Sequence, residues 1–165
     1  MSFEDYQNYL IEAKNEKISQ NFTVFDICNS ETAIEKKIDN TPDAQIIKNA
    51  EMVINAILEP CTKHFLFKPI VHCIYRNNVL NTAVGGVKDS QHCSGINSGK
   101  IESAADFTVV GVPDIIVVNY IRKNLVFDQL ILESEGNNHW VHCSVKASGN
   151  RKEVLKYSMG KYVAI

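Results

Sequence analysis

Two histidines and an aspartate carry the most chemically specific signal in this sequence. His92 follows a polar Ser90-Gln91 pair, Asp106 closes an Ala104-Ala105 run, and His142 lies in the stretch WVHCSV. Two neutral imidazoles and one carboxylate form a donor set that suits Zn²⁺, one ion per chain. Three protein ligands leave a fourth coordination position for water, as catalytic metal sites require. Strand alternation puts Val141, Cys143 and Val145 on one face and Trp140, His142 and Ser144 on the other. His142 can therefore face a cleft while its neighbours pack a core. By spacing alone, blander readings stand beside this one: Asp106 as a turn or cap residue, and His142 as a half-buried strand histidine.

The elements that must position these residues follow from periodicity. Phe3, Tyr6, Leu10 and Ala13 recur at helical spacing behind Ser2 and Asp5, which suit a capping arrangement. The segment NFTVFDIC, 21 to 28, alternates apolar residues and reads as extended, and Ser30 then opens a short helix through ETAIEKK. The strongest helix is expected after Thr41-Pro42, with threonine as N-cap, proline at the first helical position and Asp43 in the first turn. Ile46, Ala50, Val53, Ile54, Ile57, Leu58 and Cys61 line one face of it. Strands are predicted at PIVHCIYR (69 to 76), around Ala104 to Val110, at VFDQLILE (126 to 133) and at WVHCSVKA (140 to 147). Pro113 starts a helix between the second and third of these, and the loop ESEGNN makes the last two a hairpin. Helices first and strands mostly afterwards favour an α+β domain, with an antiparallel sheet packed against N-terminal helices. The expectation is one domain over 1–165, with its helical part about 1–65 and its sheet and metal site about 69–147.

Composition narrows the function classes. At 165 residues and 45% hydrophobic content the chain can bury a core without staples, and a net charge of −2 argues against a general nucleic-acid binder. Five cysteines with no CxxC pair fit reduced, mostly buried thiols rather than a zinc ribbon or a disulfide framework. The N-terminal stretch MSFEDYQNYLIEAKNEK mixes charged and apolar positions, unlike a signal peptide, and no run approaches a membrane span. These features fit a cytosolic protein.

The motifs SQH and AADF, IYR, LNTAVGGV, FDQLILE and WVHCSV, preceded by SQNFTVFDI and IDNTP, occur in an order that resembles the zinc D-alanyl-D-alanine metallopeptidases, especially their short phage-type members. The resemblance runs from about Ser19 to the strand after Trp140. It implies a Hedgehog/D-Ala-D-Ala peptidase fold and cleavage of D-amino-acid-containing bonds in bacterial peptidoglycan stem or cross-link peptides, by an endolysin-type or carboxypeptidase-type enzyme. It also implies His92, Asp106 and His142 as metal ligands and Arg76 as the fork that holds a substrate carboxylate or carbonyl. Ser90 and Gln91 would orient the first ligand or bind substrate. The resemblance further implies a location in the cytoplasm of a host bacterium until release, or in the virion.

Two departures from the family pattern bear on chemistry. Thirteen residues, 93–105, separate His92 from Asp106, against about six in the family. The extra closure entropy of about 0.7 kcal/mol is small beside zinc binding on the order of 10 kcal/mol, so the site survives and the loop can serve as a rim or lid. The second departure concerns the general base, since the family often has a carboxylate three residues before the last ligand, where this chain has His139. Glu133 is the preferred base, His139 the second candidate and Glu135 a third. The competing function is a catalytically inactive, metal-stabilised module that binds cell wall or serves in a virion.

Overall fold

The computed structural model describes residues 2–96 and 98–165. Helix α1 (Phe3–Ala13) starts with a full capping box, in which Ser2 accepts from the Asp5 amide and Asp5 from that of Ser2. Helix α2 (Val24–Cys28) corrects the extended reading of 21 to 28: Thr23 and Asp26 form a second capping box, so the apolar residues wind onto a short helix. Helix α3 (Glu31–Glu35) is capped by Ser30. Together α1, α2 and α3 bury Tyr6, Leu10, Val24, Cys28 and Ala33 in a small satellite core with Leu80.

The long helix runs as α4 (Ala44–Val53), a π-helical turn at Ile54–Leu58, and α5 (Glu59–Phe65). Its N-cap is Asp43 and not Thr41: Asp43 Oδ1 accepts from the Ile46 amide at 2.8 Å. Pro42 therefore lies before the helix, and the Asp43 cap contributes about 1 kcal/mol. The apolar face read from the sequence is buried throughout, from Ile46 to Cys61.

Six strands form one sheet in the order β1-β2-β4-β3-β5-β6: β1 (Ile70–Cys73), β2 (Glu102–Thr108), β3 (Gln129–Glu135), β4 (Asn138–Lys146), β5 (Glu153–Ser158) and β6 (Lys161–Ala164). The sheet is mixed, which corrects the purely antiparallel expectation, because β5 lies parallel to β3 while the other pairs are antiparallel. Helix α6 (Asn78–Ala83) precedes the turn at Gly85-Gly86, and α7 (Asp114–Asn124) starts just after Pro113.

The fold is thus α+β, with two layers meeting at one core. Phe107, Leu130, Val141, Cys143 and Val145 from the sheet pack on the α4–α5 helix and on Val117, Val118 and Ile121 of α7. Burying each large aliphatic side chain contributes about 1.5–3 kcal/mol, and alternation leaves the other sheet face for chemistry. Among the described residues no helix is long and apolar enough to cross a membrane.

Candidate metal centre and cleft

Sheet register brings the candidate ligands together. Asp106 of β2 stands directly opposite His142 of β4, so both side chains leave the same face, while Ala105 and Cys143 beside them enter the core. His92 arrives on a single 3₁₀ turn, Gln91–Cys93, whose N-cap Ser90 accepts from the His92 amide at 3.4 Å. The Nδ1–H of His92 donates to the Ile74 carbonyl at 3.0 Å, which leaves the Nε2 lone pair directed at the other two residues. His92 Nε2 lies 3.1 Å from Asp106 Oδ2 and 3.2 Å from His142 Nδ1, and His142 Nδ1 lies 2.8 Å from Asp106 Oδ1.

Those separations test whether the residues fit a metal. Ligands about 2.0–2.1 Å from a tetrahedral zinc stand about 3.3–3.4 Å apart, and the two ring nitrogens, 3.2 Å apart and each within 3.1 Å of one oxygen of the Asp106 carboxylate, need only small outward movements. Electrostatics agree. Burial, the largest influence, lowers the pKa of His92 and keeps the ring neutral, as a ligand must be. Burial would raise Asp106, but the two imidazoles outweigh it and hold the carboxyl well below the usual carboxylate range.

Cys73 is a neighbour the sequence reading did not single out. Cys73, His92 and Asp106 can each offer one ligand atom within 4.8 Å of one another. The Cys73 sulfur, however, approaches His92 at Nδ1, at 3.5 Å, on the side already bonded to Ile74. Burial also pushes its thiol up to about 12. His142, at Nε2 of His92, is therefore the better placed third donor.

A cleft of about 850 Å³ opens over this group, lined by Arg76, Ser90, Gln91, His92, Asp106, Glu133 and His142 among others. Arg76 is held by its backbone. Its amide donates to the His92 carbonyl at 3.0 Å, and the buried Asn40 side chain donates to the Tyr75 carbonyl at 3.1 Å and accepts from the Asn77 amide at 2.9 Å. Asn40 belongs to the stretch IDNTP, so that stretch braces the arginine. The Arg76 guanidinium has no side-chain partner among the described residues, and its Nε is buried. A fork in that state is available to an incoming carboxylate.

Glu133 of β3 sits opposite Trp140 and lines the cleft without an ion pair among the described residues. Burial, the largest influence, raises its pKa, and the Asp106 charge adds to that against the pull of His142 and Arg76. His139 is placed elsewhere. Alternation turns it from Trp140 and His142; its Nδ1 pairs with buried Asp114 at the start of α7, and its side chain is 67% exposed over an adjoining depression that Asp106 and Trp140 also line. Glu135 lines the cleft two residues beyond Glu133.

The segment between His92 and Asp106 forms part of the rim, with Ser98 and Lys100 lining the cleft. Gly95 turns there with φ +78°, and a Cβ would stand 1.7 Å from the Lys100 carbonyl oxygen. Ser98 donates to Glu102 at 2.5 Å, and the Gln91 amide nitrogen donates to Glu102 at 3.1 Å and to Asp128 at 3.2 Å. Gly86 closes the opposite rim, where a Cβ would lie 2.1 Å from Asn81 Oδ1. Asp128 is fully buried and also binds Arg151 and Lys146, at 2.6 and 2.9 Å. Gln91 and Asp128 lie in the motifs SQH and FDQLILE, but their pairing with Lys146 and Arg151 is made only by the fold.

Comparison with known proteins adds one finding: a family described as Peptidase M15 matches residues 20–144, about three quarters of the chain. No curated protein matches it.

Proposed function

The chain belongs to the M15 peptidase family, a family of metallopeptidases, and from that premise we propose that it is a zinc-dependent hydrolase of peptidoglycan stem or cross-link peptides containing D-amino acids. The observation that carries this reading is the convergence of His92 Nε2, Asp106 and His142 Nδ1 within 3.2 Å of one another on the floor of a cleft that also contains Glu133 and Arg76. In this reading His92, Asp106 and His142 hold one zinc ion, within a Hedgehog/D-Ala-D-Ala peptidase arrangement. When bound, zinc polarises a scissile carbonyl and makes water a nucleophile near neutral pH.

The protein's own groups supply the remainder. Glu133, which lines the same cleft as the three ligands and has no ion pair among the described residues, would accept the proton of the attacking water and return it to the leaving amine. Arg76, unpaired, grips a substrate carboxylate or carbonyl and fixes the peptide's position in the cleft. Ser90 and Gln91 orient the turn bearing His92, and Gln91 also faces bound substrate. In this reading Glu133 is preferred to His139, because Glu133 faces the cleft beside Trp140 whereas alternation turns His139 to the other face, toward Asp114.

The test is metal content of protein purified without added metal, together with release of new amino groups from purified peptidoglycan. About one zinc per chain with hydrolysis that disappears in His142→Ala is the expected result. Zinc without hydrolysis on walls of several chemotypes would replace the enzyme with a binding module.

A further inference from the structure

A row of side chains crosses four strands on the cleft face. Trp140 stands opposite Glu133, Glu133 opposite Tyr157, and Tyr157 opposite Tyr162. Directly paired residues share a face, so an indole, a carboxylate and two phenols lie side by side. The Tyr157 and Tyr162 rings are 4.6 Å apart and tilted by 42°, and Tyr162, 59% exposed, forms a wall of the cleft. Strands β5 and β6 follow the stretch that matches the family.

The carboxylates that line the cleft differ in their partners. The Asp106 carboxylate is engaged by two imidazoles, and Glu102 by Ser98 and Gln91. Glu133 and Glu135 have no side-chain partner among the described residues. Glu135 and Tyr157 further line a depression of about 280 Å³ between the two hairpin turns, next to the cleft. An aromatic wall beside an unpaired carboxylate, with room for the end of a side chain, has the chemistry of a site for a primary ammonium group.

We propose that Tyr162, Tyr157 and Glu135 form a subsite for a substrate ammonium group, such as the side chain of a diamino acid, and that Tyr162 and Glu135 set the preference for it. The proposal rests on the peptidase reading only in taking the cleft's ligand to be a peptide. Two residues along β3 span about 7 Å, so the subsite lies one to two peptide residues from the bond beside Glu133. Arg76 engages the substrate's negative group and this subsite its positive one, which would fix the direction in which a peptide lies.

The test uses a synthetic pentapeptide ending in D-Ala-D-Ala with one central lysine, made with the lysine free and with it Nε-acetylated. Binding to the zinc-loaded protein is followed by fluorescence of Trp140, the single tryptophan of the chain and a member of the row. The free amine should bind about five- to tenfold tighter than its acetylated twin, the combined size of an exposed cation–π contact and an exposed ion pair. Tyr162→Ala and Glu135→Gln should each cut that ratio to about two- to threefold and the double variant to about one, while Tyr162→Phe keeps it. Equal affinities for the two peptides, or a ratio that persists in the double variant, overturn the subsite. Because the readout is binding, loss of hydrolysis with the ratio intact would count against the peptidase reading and leave the subsite standing.

Discussion

Replacing Asp128 by asparagine tests the buried network beneath the cleft. Asp128 is inaccessible to solvent and accepts from the Arg151 amide at 2.9 Å, Arg151 Nε at 3.1 Å, Arg151 Nη2 at 2.6 Å, Lys146 Nζ at 2.9 Å and Gln91 Nε2 at 3.2 Å. Asparagine keeps one acceptor oxygen but turns an amide donor toward some of these donors and removes the charge. Hydrogen bonds to a charged group contribute about 1.5–3 kcal/mol each, and stripping one partner from a buried ion pair costs about 3–5 kcal/mol. The Arg151 side chain is 47% exposed and can rehydrate, whereas that of Lys146 is only 16% exposed. The loss should therefore sit near the bottom of that range, about 3 kcal/mol, or about 6–12 °C in Tm for a chain of this size. The pH dependence has a definite sign. Burial would raise the Asp128 pKa, but Arg151 and Lys146 hold it well below the usual carboxylate range. The stabilisation is therefore full above the ordinary pKa of about 4 and fades as pH falls below it. Denaturant unfolding of wild type and Asp128→Asn at neutral pH and at about pH 3 would measure both. A loss under about 1 kcal/mol at neutral pH, or a loss as large at pH 3 as at pH 7, would refute this account of the network.

Two further predictions concern the metal and the base. Cys73→Ser should retain about one zinc per chain while His142→Ala loses it, as read by elemental analysis after dialysis; the opposite pattern would make Cys73 the third ligand. Glu133→Gln should keep zinc and lose about 10²–10⁴-fold in kcat. A Glu133→Gln variant that keeps wild-type kcat would point to another base.

What could be read from the chain was whatever depends on neighbours in sequence. The face from Ile46 to Cys61 and the alternation around His142 are local patterns, and both appear in the fold as expected. Two local readings failed where short-range chemistry competed with period: the Thr23–Asp26 capping box winds 24–28 into a helix, and Asp43 outcompetes Thr41 as the cap. Strands β5 and β6 escaped notice because EVLKYS and KYVA are short and carry lysines, and nothing nearby announces a parallel partner as distant as β3. The same holds for the candidate site. His92, Asp106, His142, Glu133 and Arg76 carried their chemistry in their residue types and in the family resemblance. Cys73 beside His92, Asp114 behind His139 and Asp128 under Gln91 are partners made only by tertiary contact.

The parallel pairing of β5 with β3 separates the stretch that is recognisably shared with relatives from the stretch that can fold. Residues 20–144 end inside β4, before Lys146, Arg151 and the whole of β5 and β6, and begin after α1. A protein trimmed to those limits would bare one edge of β3, leave the Asp128 carboxylate without its two cations, and strip Tyr6 and Leu10 from the small core around Leu80. The reach of the family match and the reach of the cooperative core thus differ on this chain, and a fragment meant to stay folded should follow the second.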